Sequence, residues 1–280
     1  MTGSLLSRGL LAIELLAARA DGMALHEVAD LLGMPKSAAH RLLAELVEHG
    51  YVHHDEAGAY RPTTKVLRLS HAWLAARSVP ATLQPALDRL ACSVGELVGY
   101  AVVDGDRLAW IATAQGARFG LKVDPEPQMD VVLYCSPAGH AWLACHDDDE
   151  AIRLVMAQGF GRLPDHGPNA PRTIDAFREQ LAATRSRGYA WGGESSAPGV
   201  AGAATAVCHP VDGRPLGVLS ITGPSVRLNE ARSGELAPAL LATAADLGLL
   251  SADAPMLRPD GRLVATQLAR SGAAADTARA

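Results

Sequence analysis

Within six positions the chain presents Lys36, Ser37, His40 and Arg41. An ammonium, a hydroxyl, an imidazole and a guanidinium at that spacing suit the phosphates and base edges of a nucleic-acid duplex. Ala38 stands among them and is small enough to allow close approach to a groove. His53, His54 and Arg61 follow and would add positive charge near phosphates. A second group of reactive types lies further on. Cys135, Ser136 and His140 have the chemistry of a nucleophile and a base, and Cys135, His140, Cys145, His146, Cys208 and His209 are all metal-ligand types. Ser220 and Thr222 alternate with apolar residues, so their hydroxyls share one face of a strand and need partners if buried.

Each set needs elements to hold it. Val28, Ala29 and Leu32 share one face of a short helix that Gly33 ends, because glycine takes the left-handed C-terminal position without a steric penalty. Pro35 suits the first turn of the next helix, where its missing N–H would have had no partner. Leu42, Leu43, Leu46 and Val47 give that helix an apolar face, and Gly50 stops it. Lys36, Ser37, Ala38, His40, Arg41 and Glu45 fall opposite, and a helix N-terminus favours anions. Tyr51-Val52-His53-His54 and Ala59-Tyr60-Arg61 flank Asp55-Glu56-Ala57-Gly58, a hairpin with glycine near its tip. Leu6, Leu10, Ile13 and Leu16 recur at helical spacing ahead of these. Together they spell a winged helix-turn-helix. A helical hairpin that merely packs on another element is the plainer alternative, and the agreement of punctuation with the polar face ranks it second.

From Thr63 to Arg77 the pattern is again helical, with Val66, Leu67, Leu69 and Leu74 apolar, and Val79-Pro80 marks a boundary. Beyond it the spacing predicts a helix over 83–94 and strands over 97–103 and 108–113 around Asp104-Gly105-Asp106. Short strands are expected at 120–123 and 131–134. Ser136 can cap a helix that has Pro137 at its first position. Helices at 147–158, 173–188 and 230–250 and strands at 189–192, 201–208 and 216–222 complete an α+β chain of antiparallel hairpins and covering helices. The Ala-rich stretch 251–280 reads as a disordered tail.

Composition narrows the function. The net charge of −5 excludes a protein coated in positive charge but not a local basic strip on an acidic body. The apolar segment Leu5 to Leu16 is interrupted by Arg8 and Glu14 and lacks a cleavage site, so no signal peptide is expected. No apolar run is long enough for a bilayer, so no membrane partner is expected. The four cysteines lack disulfide-framework or paired metal spacing and read as reduced cytoplasmic thiols. No nucleophile elbow, P-loop or dinucleotide fingerprint occurs, which disfavours an enzyme and any cofactor.

The segment GMPKSAAHRLLAELVEHGYV, its short wing and YRPTTKVLRL resemble the IclR family of bacterial transcription regulators. SPAGHAWLA, TIDAFREQLAATRSRGYA, GGESSAPGVAGAATAV and GVLSITGPSVRL resemble that family's effector-binding domain. The resemblance runs from Ser4 to about Leu250. It implies a winged helix-turn-helix at 1–62, a linker helix at 63–79, a GAF-like antiparallel-sheet effector domain at 80–250 and the tail 251–280. Implied partners are a palindromic DNA operator, bound as a homodimer or dimer of dimers, and a small organic or aromatic acid. The DNA contacts would be Lys36, Ser37, Ala38, His40, Arg41, His53, His54 and Arg61. The resemblance places the acid between the sheet and the helix begun by Ser136, Pro137, Ala138 and Gly139. Pro137 lacks one backbone donor, and the family's acidic and cysteine positions correspond to Gly192 and Gly202, which should widen the pocket. Ser220 and Thr222 would contact the ligand, with Leu121, Met129 and Tyr134 as an apolar wall. The alternatives are a zinc-binding regulator and, below it, an enzyme using Ser136 and His140.

Overall fold

Ser4 opens the first helix: its hydroxyl accepts the Ser7 N–H at 3.2 Å, and α1 runs Leu5–Ala17. The computed structural model describes residues 4–75, 83–125, 131–161 and 166–252. Met129, the Val79-Pro80 boundary and the tail past Ala252 lie outside the described residues. The chain divides into two units, Met1–Ala76 and Arg77–Ala280.

In the first unit, β1 (Met23–Ala24) leads into α2 (Leu25–Leu31), where the Glu27 carboxylate accepts the Ala24 N–H at 2.8 Å and seals the helix start. Gly33, at φ +58°, turns the chain into α3 (Lys36–Glu48). Pro35 sits one position before that helix rather than inside it, and its carbonyl accepts the Ala38 and Ala39 N–H groups at 2.9 and 3.0 Å. β2 (Val52–His54) and β3 (Ala59–Pro62) form the hairpin, with β1 completing a sheet of order β1-β3-β2. Ala12, Leu16, Met23, Val28, Ala29, Leu42, Leu43, Val52 and Tyr60 make the core. α4 (Thr64–Ala75) follows without a buried residue. The expected core stripe on α1 is corrected in part: Leu16 is buried and Ile13 half-buried, but Leu6 and Leu10 are 73% and 54% exposed, and Gly9 and Ala12 are buried in their place. Val47, expected inward, is exposed at the end of α3.

The second unit contains α5 (Gln84–Val94), β4 (Leu97–Asp104), β5 (Arg107–Gln115), α6 (Pro137–Leu143), α7 (Asp148–Gln158), α8 (Ile174–Arg187), β6 (Ala190–Gly193), β7 (Val200–Cys208), β8 (Pro215–Pro224) and α9 (Glu230–Ala252). Its sheet has the order β5-β4-β8-β7-β6, antiparallel throughout. β4, β7 and β8 are buried at nearly every residue, so both faces are covered. On one face Ala101, Val218, Ala204 and Ala190 pack under Ala138, Ala141, Leu154, Phe177 and Leu181 of α6, α7 and α8. Small side chains in the floor let α6 sit close to the sheet, and all seven of its residues are buried. The expected α+β architecture stands, with two strands fewer. Residues 120–123 form a bend and irregular chain, and 131–134 run into a buried turn that delivers Ser136 to α6.

Candidate functional site

The apolar and polar faces of α3 separate cleanly over its first two turns. Ala39, Leu42 and Leu43 are buried, while Lys36, Ser37, His40 and Arg41 are exposed. Ala38 is half-buried and packs against the core, so of the six expected groove-facing residues it is the one turned partly inward. His53 and His54 are exposed on β2, and the His54 ring stacks on Tyr60 at 4.3 Å between centroids. Arg61 is differently placed from a free phosphate ligand. Its Nε meets the Asp55 carboxylate at 2.8 Å and its Nη1 donates to the Ala20 carbonyl at 2.8 Å. Asp55 also accepts the Ala59 N–H at 2.8 Å. That N–H, and then the Arg61 guanidinium, hold the Asp55 carboxyl below the usual carboxylate range. Arg61 therefore fixes the wing against the segment after α1.

The second candidate site lies at the head of α6. Ser136 caps the helix, accepting the Gly139 N–H at 3.0 Å and donating to the Val132 carbonyl at 2.5 Å. Gly192, Gly202 and Thr222 form one cross-strand row on β6, β7 and β8, and Ala204, Ser220 and Gly99 form the next. The Pro137 ring fills the space above the first row. A Cβ on Gly192 would lie 3.0 Å from Pro137 Cγ and collide with Ser195 Oγ, and one on Gly202 would lie 3.4 Å from the same Cγ. The expectation that two glycines widen the pocket is thus corrected: they make room for a proline. Ser220 is buried, and its hydroxyl lies 3.5 Å from the Gly99 carbonyl, a long contact. Leu121 is 64% exposed and builds no wall.

Tyr134 is buried beside this row. Its ring meets Phe160 and His166, each at 4.9 Å between centroids. Cys135 Sγ lies 3.7 Å from His166 Nδ1, and the adjacent Gly167 N–H donates to the Ser195 carbonyl at 3.2 Å. Those contacts join 134–137, 166–167 and 192–195 into one neighbourhood. Tyr134 Oη, His166 Nε2 and Ser195 Oγ are buried within it with no hydrogen-bond partner among the described residues. Buried polar groups are costly unless partnered, so three together mark a place where a ligand can complete the bonding. His166 and Ser195 were not legible as site residues. Each lies in a Gly- and Ser/Pro-rich loop with no periodic signal to orient it. Two open cavities, of about 310 and 340 Å³, lie elsewhere on this unit and include none of these groups.

The competing chemistries find no geometry here. His140 is buried and its Nε2 donates to the Tyr134 carbonyl at 2.7 Å, so it does not address Ser136, whose hydroxyl is committed to backbone. Burial pushes the Cys135 thiol up to about 12, away from the thiolate a metal needs. Among the described residues no three His, Cys, Asp or Glu side chains converge on a point.

His140 carries a pH consequence. Burial lowers its pKa to about 4, against a weaker opposing effect of the Tyr134 carbonyl. The unfolded chain has the higher value, near the ordinary 6.5, so it binds a proton that the folded chain refuses. Stability is therefore full above about pH 6.5 and falls as pH drops toward 4, by up to ~3 kcal/mol from this group. Urea unfolding at pH 7.5 and pH 5 should show the loss, and His140→Gln should remove most of the difference between them.

Residues 71–249 match the family model of the bacterial transcriptional regulator IclR C-terminal domain, and residues 5–56 match the IclR helix-turn-helix domain. The transcriptional repressor IclR of Escherichia coli K12 is 28% identical over 247 residues, covering 87% of this chain and 88% of that protein. The acetate operon repressor of Salmonella typhimurium is 27% identical over 246 residues, with coverage of 87% and 88%. Among solved structures, an IclR regulator from Alicyclobacillus acidocaldarius aligns at a TM-score of 0.76 and 21% identity, covering 90% of this chain and all of that one (100%). An IclR homologue from Microbacterium hydrocarbonoxydans, complexed with 4-hydroxybenzoate, aligns at 0.69 and 20% identity, covering 87% and 99%. At those identities the two structures establish a shared fold.

Proposed function

Because the chain belongs to the IclR family of bacterial transcriptional regulators, we propose that it grips a palindromic operator as a homodimer or dimer of dimers and that a small organic or aromatic acid sets its affinity for that operator. It is a DNA-binding regulator of that type and not an enzyme. Residues 1–62 read the duplex, 63–79 link the two domains and 80–250 bind the effector, in the cytoplasm. The observation that carries this reading is the exposed face Lys36, Ser37, His40 and Arg41, raised on a buried Ala39, Leu42 and Leu43 and flanked by a pinned wing. Two copies would double the phosphate contacts and read two half-sites. The ligand half is supported by Tyr134 Oη, His166 Nε2 and Ser195 Oγ, buried and unpartnered around Pro137. An aromatic acid offers a ring for Tyr134 and Phe160 and oxygens for the three polar groups. The relative crystallised with 4-hydroxybenzoate makes that compound the first to try. Ligand control needs only unequal affinity for DNA-competent and DNA-incompetent forms.

Selection of duplexes from a random pool by the full-length protein should enrich an inverted repeat. A single unrepeated half-site, or no enrichment, overturns the operator reading. A thermal-shift screen of 4-hydroxybenzoate and other small carboxylates should find one that raises the unfolding temperature by several degrees, since saturation at ~100 times Kd contributes about 2.7 kcal/mol. Tyr134→Phe should shrink that rise. A panel of acids with no effect overturns the ligand half alone.

A further inference from the structure

Cys145 and Cys208 play no part in either site above, yet sequence-distant turns bring them together. Cys145 follows the last residues of α6 and is exposed, and Cys208 ends β7 at an irregularity in its pairing with β8. Both line the open cavity of about 310 Å³, beside Arg185, Tyr189 and Thr205. The Arg185 guanidinium is held over the end of α6 by the Ala144 and His146 carbonyls at 3.1 and 2.8 Å and by Asp148 at 2.7 Å. We infer that Cys145 and Cys208 are an oxidisable dithiol, a modification site at which a hydroperoxide such as hydrogen peroxide converts the pair into an internal disulfide.

The thiols divide the labour. Both thiols face this one cavity, where their coupling lowers Cys208 and raises Cys145, and the Cys145 S–H donates to the Ala141 carbonyl at 3.6 Å. With the exposed Cys145 as the resolving thiol, Cys208 meets the peroxide first. Its thiolate attacks one peroxide oxygen and the O–O bond breaks. The departing oxygen takes a proton and leaves as water or alcohol, so the sulfur is oxidised to a sulfenic acid and the peroxide is reduced. Cys145 then attacks the Cys208 sulfur and its proton goes to the departing hydroxyl. The S–O bond breaks, water leaves and the S–S bond forms. The other two thiols provide contrast. Cys135 is buried with a raised pKa, and Cys92 is exposed in α5 and does not line this cavity.

The test uses full-length protein carrying Cys92→Ser, which removes intermolecular pairing through that thiol. After brief treatment with a small excess of hydrogen peroxide, free thiols are alkylated and peptides mapped by mass. The expected product is a Cys145–Cys208 linked peptide with two thiols lost, reversed by dithiothreitol, while Cys135 stays reduced. In a Cys145→Ser variant the reaction should stop at a Cys208 sulfenic acid that dimedone traps. Full alkylation of both cysteines after peroxide overturns the inference. So does Cys208 found as sulfinic acid with Cys145 still free.

Discussion

Lys36→Ala with Arg41→Ala should reduce affinity for the selected operator by about 100-fold or more, at ~1–3 kcal/mol for each lost contact. Both side chains are exposed on the first two turns of α3, and neither forms an ion pair among the described residues. Their removal therefore leaves the core of Ala39, Leu42 and Leu43 intact, and the unfolding temperature should not move. Arg61→Ala provides the contrast. That guanidinium is tied to Asp55 and to the Ala20 carbonyl, so its loss loosens the wing rather than deleting a phosphate ligand. The salt dependence of binding should then stay as in the parent protein, whereas a lost phosphate contact flattens its slope by about one unit. Fluorescence anisotropy on a labelled operator over a salt series reads both quantities. Unchanged affinity in Arg41→Ala would remove α3 as the reading element.

Local chemistry made the first domain readable. Gly33 and Gly50 both take positive φ where the sequence places helix ends, and Asp55 to Gly58 turns where the hairpin requires it. Each of those signals involves residues a few positions apart. Periodicity alone did worse on α1, where bulky Leu6 and Leu10 drew the inferred stripe. The buried stripe contains Gly9 and Ala12, whose small size lets helices approach but which barely register as hydrophobic. The same blindness hid the second site. Gly192 and Gly202 look like lost side chains until Pro137, more than fifty residues earlier, is found seated over them. Short apolar runs misled at 131–134 as well. Val131, Leu133 and Tyr134 are buried as a strand's residues would be, yet they line a turn under α6 rather than join the sheet. Complementarity between distant segments leaves no periodic trace in either one.

The seat of α6 makes the second large effect a matter of backbone against backbone. Gly139→Ala would place its new methyl 2.5 Å from Leu133 Cα and closer still to the Leu133 carbonyl oxygen. That segment has little freedom to yield. Leu133 is fully buried, the Gln158 side chain accepts its N–H at 2.7 Å, and the same side chain donates to the Val131 carbonyl at 2.8 Å. Alanine is the better helix former by about 1 kcal/mol, but overpacking a rigid contact costs ~1–3 kcal/mol and occasionally more. With both sides of the contact fixed, the upper end applies, and a net loss of about 2 kcal/mol is expected by urea unfolding. Gly234→Ala tests the balance from the other side. Gly234 lies in α9, is exposed, and would bring its Cβ no nearer than 4.0 Å to Tyr189 Oη. There the propensity term acts alone, and a gain of about 1 kcal/mol should result. Should Gly139→Ala stabilise the protein as Gly234→Ala does, α6 would not be clamped to the 131–135 turn, and the arrangement that brings Pro137 over Gly192 and Gly202 would have to be abandoned.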